Sequence, residues 1–309
     1  MSVYAWIGLG NMGGPMSANL VAAGHEVRGV DLNEQARAAA AGAGVLLVDS
    51  VAKALEGADA VITMLPKGQH VRAVYEGPEG IWAHATDSMM LLDCSTVDIE
   101  TSRYIHEQSA ARGLKFVDAP VSGGISGAAA GSLAIMLGGA PELMERASEL
   151  VAPMSARAIV AGGPSMGIAA KICNNMMLFI DLMASAEGSQ LAEKLGLDPQ
   201  VFWEIVSVSS GRSWAQQTWY PVPGIVETAA ANNNFDATFR VDLARKDVGL
   251  ALDAGTTSGI SLPAAELVSK HFDELISEGL EDKDCSLIVK NLVPGGQVRG
   301  YGAAEHASR

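Results

Sequence analysis

The stretch GLGNMGGPM, residues 8–16, follows a short apolar run and leads into a helical pattern, and it constrains the fold more than any other segment. In a G-x-G-x-x-G turn, Gly8 permits the tight bend after a strand, Gly10 lets backbone approach a pyrophosphate, and Gly13 permits close packing of helix on strand. The helix start that follows, at Asn11, Met12 and Gly13, offers free N–H groups and a positive dipole end to phosphates. Alone the motif is weak, because a glycine-rich turn with no ligand reads the same way. Its context strengthens it: a strand pattern precedes it, a helix pattern follows, and Asp31 closes the second strand 18 residues past Gly13. A carboxylate there accepts hydrogen bonds from both ribose hydroxyls and repels a 2′-phosphate, so Asp31 favours NAD over NADP. A strand-end turn residue, or the acid of an S-adenosylmethionine site, is the other reading of Asp31.

Further strand patterns follow. The runs at 3–9, 26–31, 59–65, 89–95, 115–120 and 133–139 alternate with helix-length stretches at 12–23, 50–57, 67–76, 99–112 and 141–151. Such alternation predicts a parallel sheet covered on both faces by helices. Beyond RAIVAGG (157–163) strand patterns nearly stop. The expected fold is therefore α/β: a Rossmann-type doubly wound sheet over 1–163, then an all-helical substrate and dimerisation domain over 164–309 that begins with a long interdomain helix. Gly162 and Gly163 release the chain, Pro164 suits a first helical turn, and Gly196 suits a C-cap. One helix from about 165 to 195 would be roughly 45 Å long. Lys171, Asp181, Glu187 and the Asn174-Asn175 pair interrupt it, leaving no uncharged apolar run near the ~20 residues that a membrane span needs.

Charge and composition narrow the partners. A formal net charge of −14 argues against nucleic acid or an anionic membrane surface. The N-terminal MSVYAWIGLG lacks a basic segment before its apolar run, which breaks at Gly8, so no signal peptide is expected and the cytoplasm is the default. Cys94, Cys173 and Cys285 have no metal or disulfide spacing and read as buried thiols; histidines do not cluster either, so no metal is expected.

Five blocks, GLGNMGGPM, DCSTVD (93–98), DAPVSGG (118–124), GIAAKICNN (167–175) and DLARKD (242–247), resemble, in this order, the signature blocks of the β-hydroxyacid dehydrogenase family. The segments SSGRSWAQQTWYPVPG (209–224) and NNNF (232–235) most resemble the members that oxidise 3-hydroxyisobutyrate to methylmalonate semialdehyde in valine breakdown. Members reducing tartronate or succinate semialdehyde share nearly all five blocks, and a non-catalytic dinucleotide-binding protein of this fold is a further alternative.

The resemblance implies NAD as cofactor, a small hydroxyacid as substrate and Lys171 as the catalytic base. A lysine of ordinary pKa, about 10.4, is a poor base near neutrality. Desolvation among Ile168, Ala169, Ala170 and Ile172, together with a positive nicotinamide ring, would lower that value. Asn175, one turn later on the same face, can donate to the substrate oxygen. Asn174 points about 100° away, toward backbone or neighbouring structure. Gly167 either admits the nicotinamide or simply lets the helix pack. Ser122, Gly123 and Gly124 can form a nest for the substrate carboxylate. Leu65, Pro66, Thr96, His70 and Lys246 are implied as nicotinamide-side contacts, with asparagine the common family residue at position 70. Arg212, Trp214 and Trp219 would shape a pocket for a methyl-bearing acid or pack a core. The long apolar helix and small helical domain suggest a homodimer or homotetramer.

Overall fold

The computed structural model describes residues 1–302. The chain divides into two compact units between Lys171 and Ile172. The first holds nine strands: β1 (Val3–Ile7), β2 (Glu26–Val30), β3 (Leu46–Leu47), β4 (Ala60–Thr63), β5 (Met90–Asp93), β6 (Lys115–Asp118), β7 (Val121–Ser122), β8 (Leu133–Gly139) and β9 (Ser155–Gly162). They form one sheet of order β3-β2-β1-β4-β5-β6-β8-β7, with β9 paired to β8. All pairings from β3 to β6 are parallel. Strands β4 and β5 are buried at every residue, as the continuous apolar runs of a sheet covered on both faces require. The core of this unit gathers Trp6, Met16, Leu20, Ile62, Leu92, Val117, Leu137 and Leu150.

The sheet is not wholly parallel, which corrects the sequence expectation. Strand β8 runs antiparallel to β6 and β7, and β9 is parallel to β8. Residues 119–132 contain only the two-residue β7 and the six-residue helix Gly124–Ala129. At 1.5 Å per residue that helix covers about 9 Å, too little to return the chain along the sheet for another parallel strand. The reversal brings Gly138 opposite Asp118, and β9 ends with Gly162 opposite Gly138. The chain therefore leaves the sheet beside Asp118.

A 29-residue helix, Met166–Lys194, begins there. Pro164 is not in its first turn: Ser165 intervenes with φ 66°, a left-handed conformation that interrupts helical continuity before Met166. The helix ends in a Schellman arrangement, with Gly196 at φ +86° and Leu197 N–H donating to the Ala192 carbonyl at 3.0 Å. By length and composition it could cross a membrane, but Phe179, Leu182, Met183 and Ala186 belong to the core of the second unit. That core also takes Phe235, Val248 and Phe272 from the surrounding helices and turns, with Phe272 set edge-on to Phe179 at 5.7 Å.

The first turn of the long helix is pressed against the sheet. A Cβ on Gly167 would lie 2.4 Å from the Met136 carbonyl oxygen and 2.8 Å from Asp118 Oδ2. A Cβ on Gly138 would lie 2.5 Å from the Gly167 nitrogen. Gly167 is thus a packing glycine. Because the opposing atoms are backbone and a fixed carboxylate, Gly167→Ala should destabilise the protein by about 1–3 kcal/mol, the usual cost of overpacking. Thermal and denaturant unfolding would measure this, and an unchanged midpoint would show that the helix start can shift freely.

Candidate active site

The site is built from strand ends. Gly8 follows β1 with φ +99°, and its absent Cβ would meet the Met64 carbonyl oxygen at 2.3 Å, just after β4. A Cβ on Gly13 would fall 1.9 Å from the Gly8 carbonyl oxygen. Gly10 differs: no atom stands within 4 Å of the place its Cβ would take. The loop is therefore closed toward the protein at Gly8 and Gly13 and open at Gly10. The helix Gly13–Ala22 has no side-chain cap at Met12, so its first-turn N–H groups face this loop. The loop lies where strand order reverses, between β1 and β4, the position at which open α/β sheets receive a dinucleotide. The residues fit such a group.

Asp31 follows β2. Its Oδ2 accepts from Leu9 N–H at 2.6 Å and its Oδ1 from Asn33 N–H at 2.7 Å, so the carboxylate is tied to the glycine loop. Leu65 and Pro66 follow β4, and Ser95 Oγ accepts from Leu65 N–H at 2.8 Å. Ser95 is in turn fixed by Asp93, whose Oδ1 accepts from Ser95 Oγ at 2.6 Å and Thr63 Oγ1 at 2.7 Å. Thr96 follows directly and is partly exposed. Asp93 and Ser95 hold this turn, a role that sequence reading missed; the usable signal was an acid ending an apolar strand, which must find donors when buried.

Burial raises the Asp93 carboxyl above the ordinary range, against hydrogen bonds from Ser95 and Thr63, and Asp118 on the neighbouring strand adds to the rise. The protonated form is thus favoured by folding. Its contribution to stability is complete below the ordinary carboxylate value, about 3.9, and is lost as pH climbs through the raised folded value. Asparagine keeps an acceptor and does not titrate. The stability of Asp93→Asn relative to wild type should therefore rise with pH across that window, with a slope of up to about 1.4 kcal/mol per pH unit, then level off. Denaturant midpoints over a pH series measure it; a pH-independent difference would show equal proton affinity in folded and unfolded chains.

Asp118 ends β6 and is almost fully buried. Its Oδ1 accepts from Ser165 N–H at 2.9 Å and lies 2.6 Å from His106 Nε2, while Oδ2 accepts from Ile168 N–H at 2.8 Å. Ser102 Oγ donates to Ser165 Oγ at 2.9 Å. The carboxylate therefore caps the long helix one turn before Lys171. Past β6, Ser122, Gly123 (φ +134°) and Gly124 (φ +66°) lead into the helix Gly124–Ala129, all three partly exposed.

Lys171 is 7% exposed, and Asn175, one turn later, is 1% exposed. Asn175 Nδ2 donates to Asp247 Oδ2 at 2.6 Å, and Asn174 Nδ2 donates to Asn175 Oδ1 at 3.1 Å. Asn174 thus holds a side chain rather than backbone. Lys246 Nζ lies 3.0 Å from Asp247 Oδ1. Asp118 and Asp247 stood inside quoted sequence blocks, but their partners are distant in sequence. His70 is partly exposed, with Nε2 3.5 Å from Gln69 Nε2. Trp219 is core, stacked near Phe179 at 6.4 Å, whereas Trp214 and Arg212 are exposed. Cys94 and Cys285 are buried and Cys173 is exposed, correcting the uniform reading of the three thiols: it occupies an outer face of the long helix. Among the described residues no group of three or more His, Cys, Asp or Glu is arranged to hold a metal.

Comparison with known proteins adds to this geometry. The domain family described as the NAD binding domain of 6-phosphogluconate dehydrogenase matches residues 3–163. The one described as NAD-binding of NADP-dependent 3-hydroxyisobutyrate dehydrogenase matches 165–292. The 3-hydroxyisobutyrate dehydrogenase of Pseudomonas aeruginosa is 43% identical over 272 residues, 88% of this chain and 91% of that protein. The NAD-dependent L-serine dehydrogenase of the same organism is 38% identical, covering 95% of this chain and 99% of that one. The solved structure of Mycobacterium tuberculosis 3-hydroxyisobutyrate dehydrogenase with L-serine is similar at a TM-score of 0.87 and 41% identity, over 95% of this chain and 100% of that chain.

Proposed function

The chain belongs to the 3-hydroxyisobutyrate dehydrogenase family of nicotinamide-dependent enzymes, and from that premise we propose that it oxidises 3-hydroxyisobutyrate to methylmalonate semialdehyde with NAD, in valine breakdown. The observation that carries this reading is the buried Lys171, one turn before a buried asparagine on the helix whose start is fixed by Asp118. Bound NAD supplies the hydride acceptor. The loop from Gly8 through Gly10, Asn11 and Met12 to Gly13 receives the pyrophosphate, Asp31 the adenosine ribose, and Leu65, Pro66, Thr96, His70 and Lys246 the nicotinamide side. Lys171 takes the alcohol proton as hydride leaves carbon. Asn175 donates to the same oxygen, and Ser122, Gly123 and Gly124 receive the substrate carboxylate.

A second reading has specific support. A relative 38% identical over nearly the whole chain is named for L-serine, a hydroxyacid of the same skeleton with an amino group in place of the methyl. Initial rates with NAD and NADP, over 3-hydroxyisobutyrate, L-serine, glycerate and 4-hydroxybutyrate, separate these readings. 3-Hydroxyisobutyrate with NAD should give the highest kcat/KM; L-serine or glycerate in first place would move the substrate assignment, and equal use of NADP would remove Asp31 from cofactor choice. In the same assay Lys171→Ala should lose about 10²–10⁴-fold in kcat, the span of a general acid or base. It should still fold and bind NAD, because alanine is the best helix former. Near wild-type kcat would take Lys171 out of the chemistry.

We also read the enzyme as a homodimer or homotetramer. Helix Pro199–Ser207 buries none of its residues, and Leu191, Leu195, Val201, Ile205 and Val208 are exposed on and beside it. Sedimentation should give a mass of at least two chains, about 64 kDa, and single-chain mass at micromolar concentration would refute this.

A further inference from the structure

Asp247 lies on the helix Val241–Ser258 and is 3% exposed. Its Oδ2 accepts from Asn175 Nδ2 at 2.6 Å, a short charge-assisted hydrogen bond. Its Oδ1 faces Lys246 Nζ at 3.0 Å, off the line of a hydrogen bond. Lys246 thus supplies the opposite charge that a buried carboxylate needs. On the other side, Asn174 Nδ2 donates to Asn175 Oδ1 at 3.1 Å.

These contacts fix which way the Asn175 amide faces. The oxygen and nitrogen of an asparagine are nearly the same size, so packing alone does not choose between the two orientations. A carboxylate can only accept, and the Asn174 amide nitrogen can only donate. Turning the Asn175 amide over would set its oxygen against Asp247, replacing a hydrogen bond by a repulsion that a carboxylate cannot relieve, whereas the Asn174 amide could turn with it. The amide nitrogen carries two protons and Asp247 takes one. The second remains available as a donor.

We propose that Asp247 is a positioning residue for the reaction: it holds Asn175 in the one orientation that offers an N–H, and not a carbonyl, to the substrate's alcohol oxygen. The proposal rests on the reading of Asn175 as a substrate ligand. As that oxygen loses its proton it gains negative charge, so a donor helps most in the transition state, whereas a carbonyl would repel. Loss of the orientation therefore lowers kcat more than it raises KM.

The test is a double-mutant cycle on the NAD-loaded enzyme, with 3-hydroxyisobutyrate or L-serine, whichever is the better substrate. Asp247→Asn keeps the shape but can present either oxygen or NH₂, so it releases the amide. It should lose about 10–10²-fold in kcat, somewhat below the loss for deleting an oxyanion donor outright, with a smaller change in KM. Asn175→Ala should lose at least as much, and the double variant no more than Asn175→Ala alone. Penalties that multiply in the double variant would overturn the proposal while leaving Asn175 as a ligand. Near wild-type kcat in Asn175→Ala would overturn the ligand reading and the proposal with it. If Asp247→Asn does not fold, the wild-type protein labelled with ¹⁵N-asparagine still decides. The Asn175 side-chain protons, assigned by their loss in Asn175→Ala, should be one protected from solvent exchange and one labile. Two equally labile protons would overturn the proposal.

Discussion

A single buried carboxylate, that of Asp118, joins the sheet to the helix on which the proposed chemistry rests. Placing a charge in the interior costs several kcal/mol unless donors surround it. Here two backbone N–H groups of the helix start supply them, with the ring of His106 2.6 Å from Oδ1. The Ile168 N–H has no other partner among the described residues at the helix terminus, the Ser165 N–H is shared with His106 Nε2 at 3.2 Å, and the helix dipole favours negative charge at that end. Each side thus resolves the other's unsatisfied polarity. Gly138 and Gly167 follow from this, since neither position has room for a side chain while the carboxylate sits between them. Ser165 adopts its left-handed backbone at the same place, turning the chain so that its N–H reaches Asp118.

The carboxyl ends of the parallel strands repeat the device on a smaller scale. Asp31 is held by the backbone of the glycine loop and of its own turn, and Asp93 by a hydroxyl on each side. Acids at strand ends thus order turns that carry no regular structure of their own. In the second unit Asp247 plays a comparable part toward Asn175. All four acids contribute through what they fix.

Much of this could be read from the chain alone. The parallel strands β1, β2, β4, β5 and β6 announced themselves as apolar runs separated by helices, and the long helix by its unbroken pattern and its terminal Gly196. Strand direction was not legible, because an apolar run looks the same whichever way it is paired; only the short connection before β8 held a clue. The two-residue strands β3 and β7 are too short to carry a period. The helix start was misread at Pro164 because the deciding feature, the backbone of Ser165, is imposed by Asp118, whose donors lie 47 and 50 positions later. The Asn175–Asp247 contact spans 72 positions and was equally invisible to local reading. Side chains that act locally were legible; those that act by closing long loops were not.

The reversal at β8 also decides where the nucleotide-binding unit ends. With β9 delivering the chain beside Asp118, the donors for that carboxylate come from residues 165 and 168, past the last strand. A fragment cut at the end of the sheet, at Gly163, would keep every strand yet leave a buried acid with only His106 beside it. A fragment reaching Lys171 retains both backbone donors, and this is also where the compact unit closes. The first compact unit therefore includes the first turn of the long helix and, with it, Lys171. The proposed proton acceptor is the last residue of the first compact unit, although the helix that bears it runs on into the core of the second.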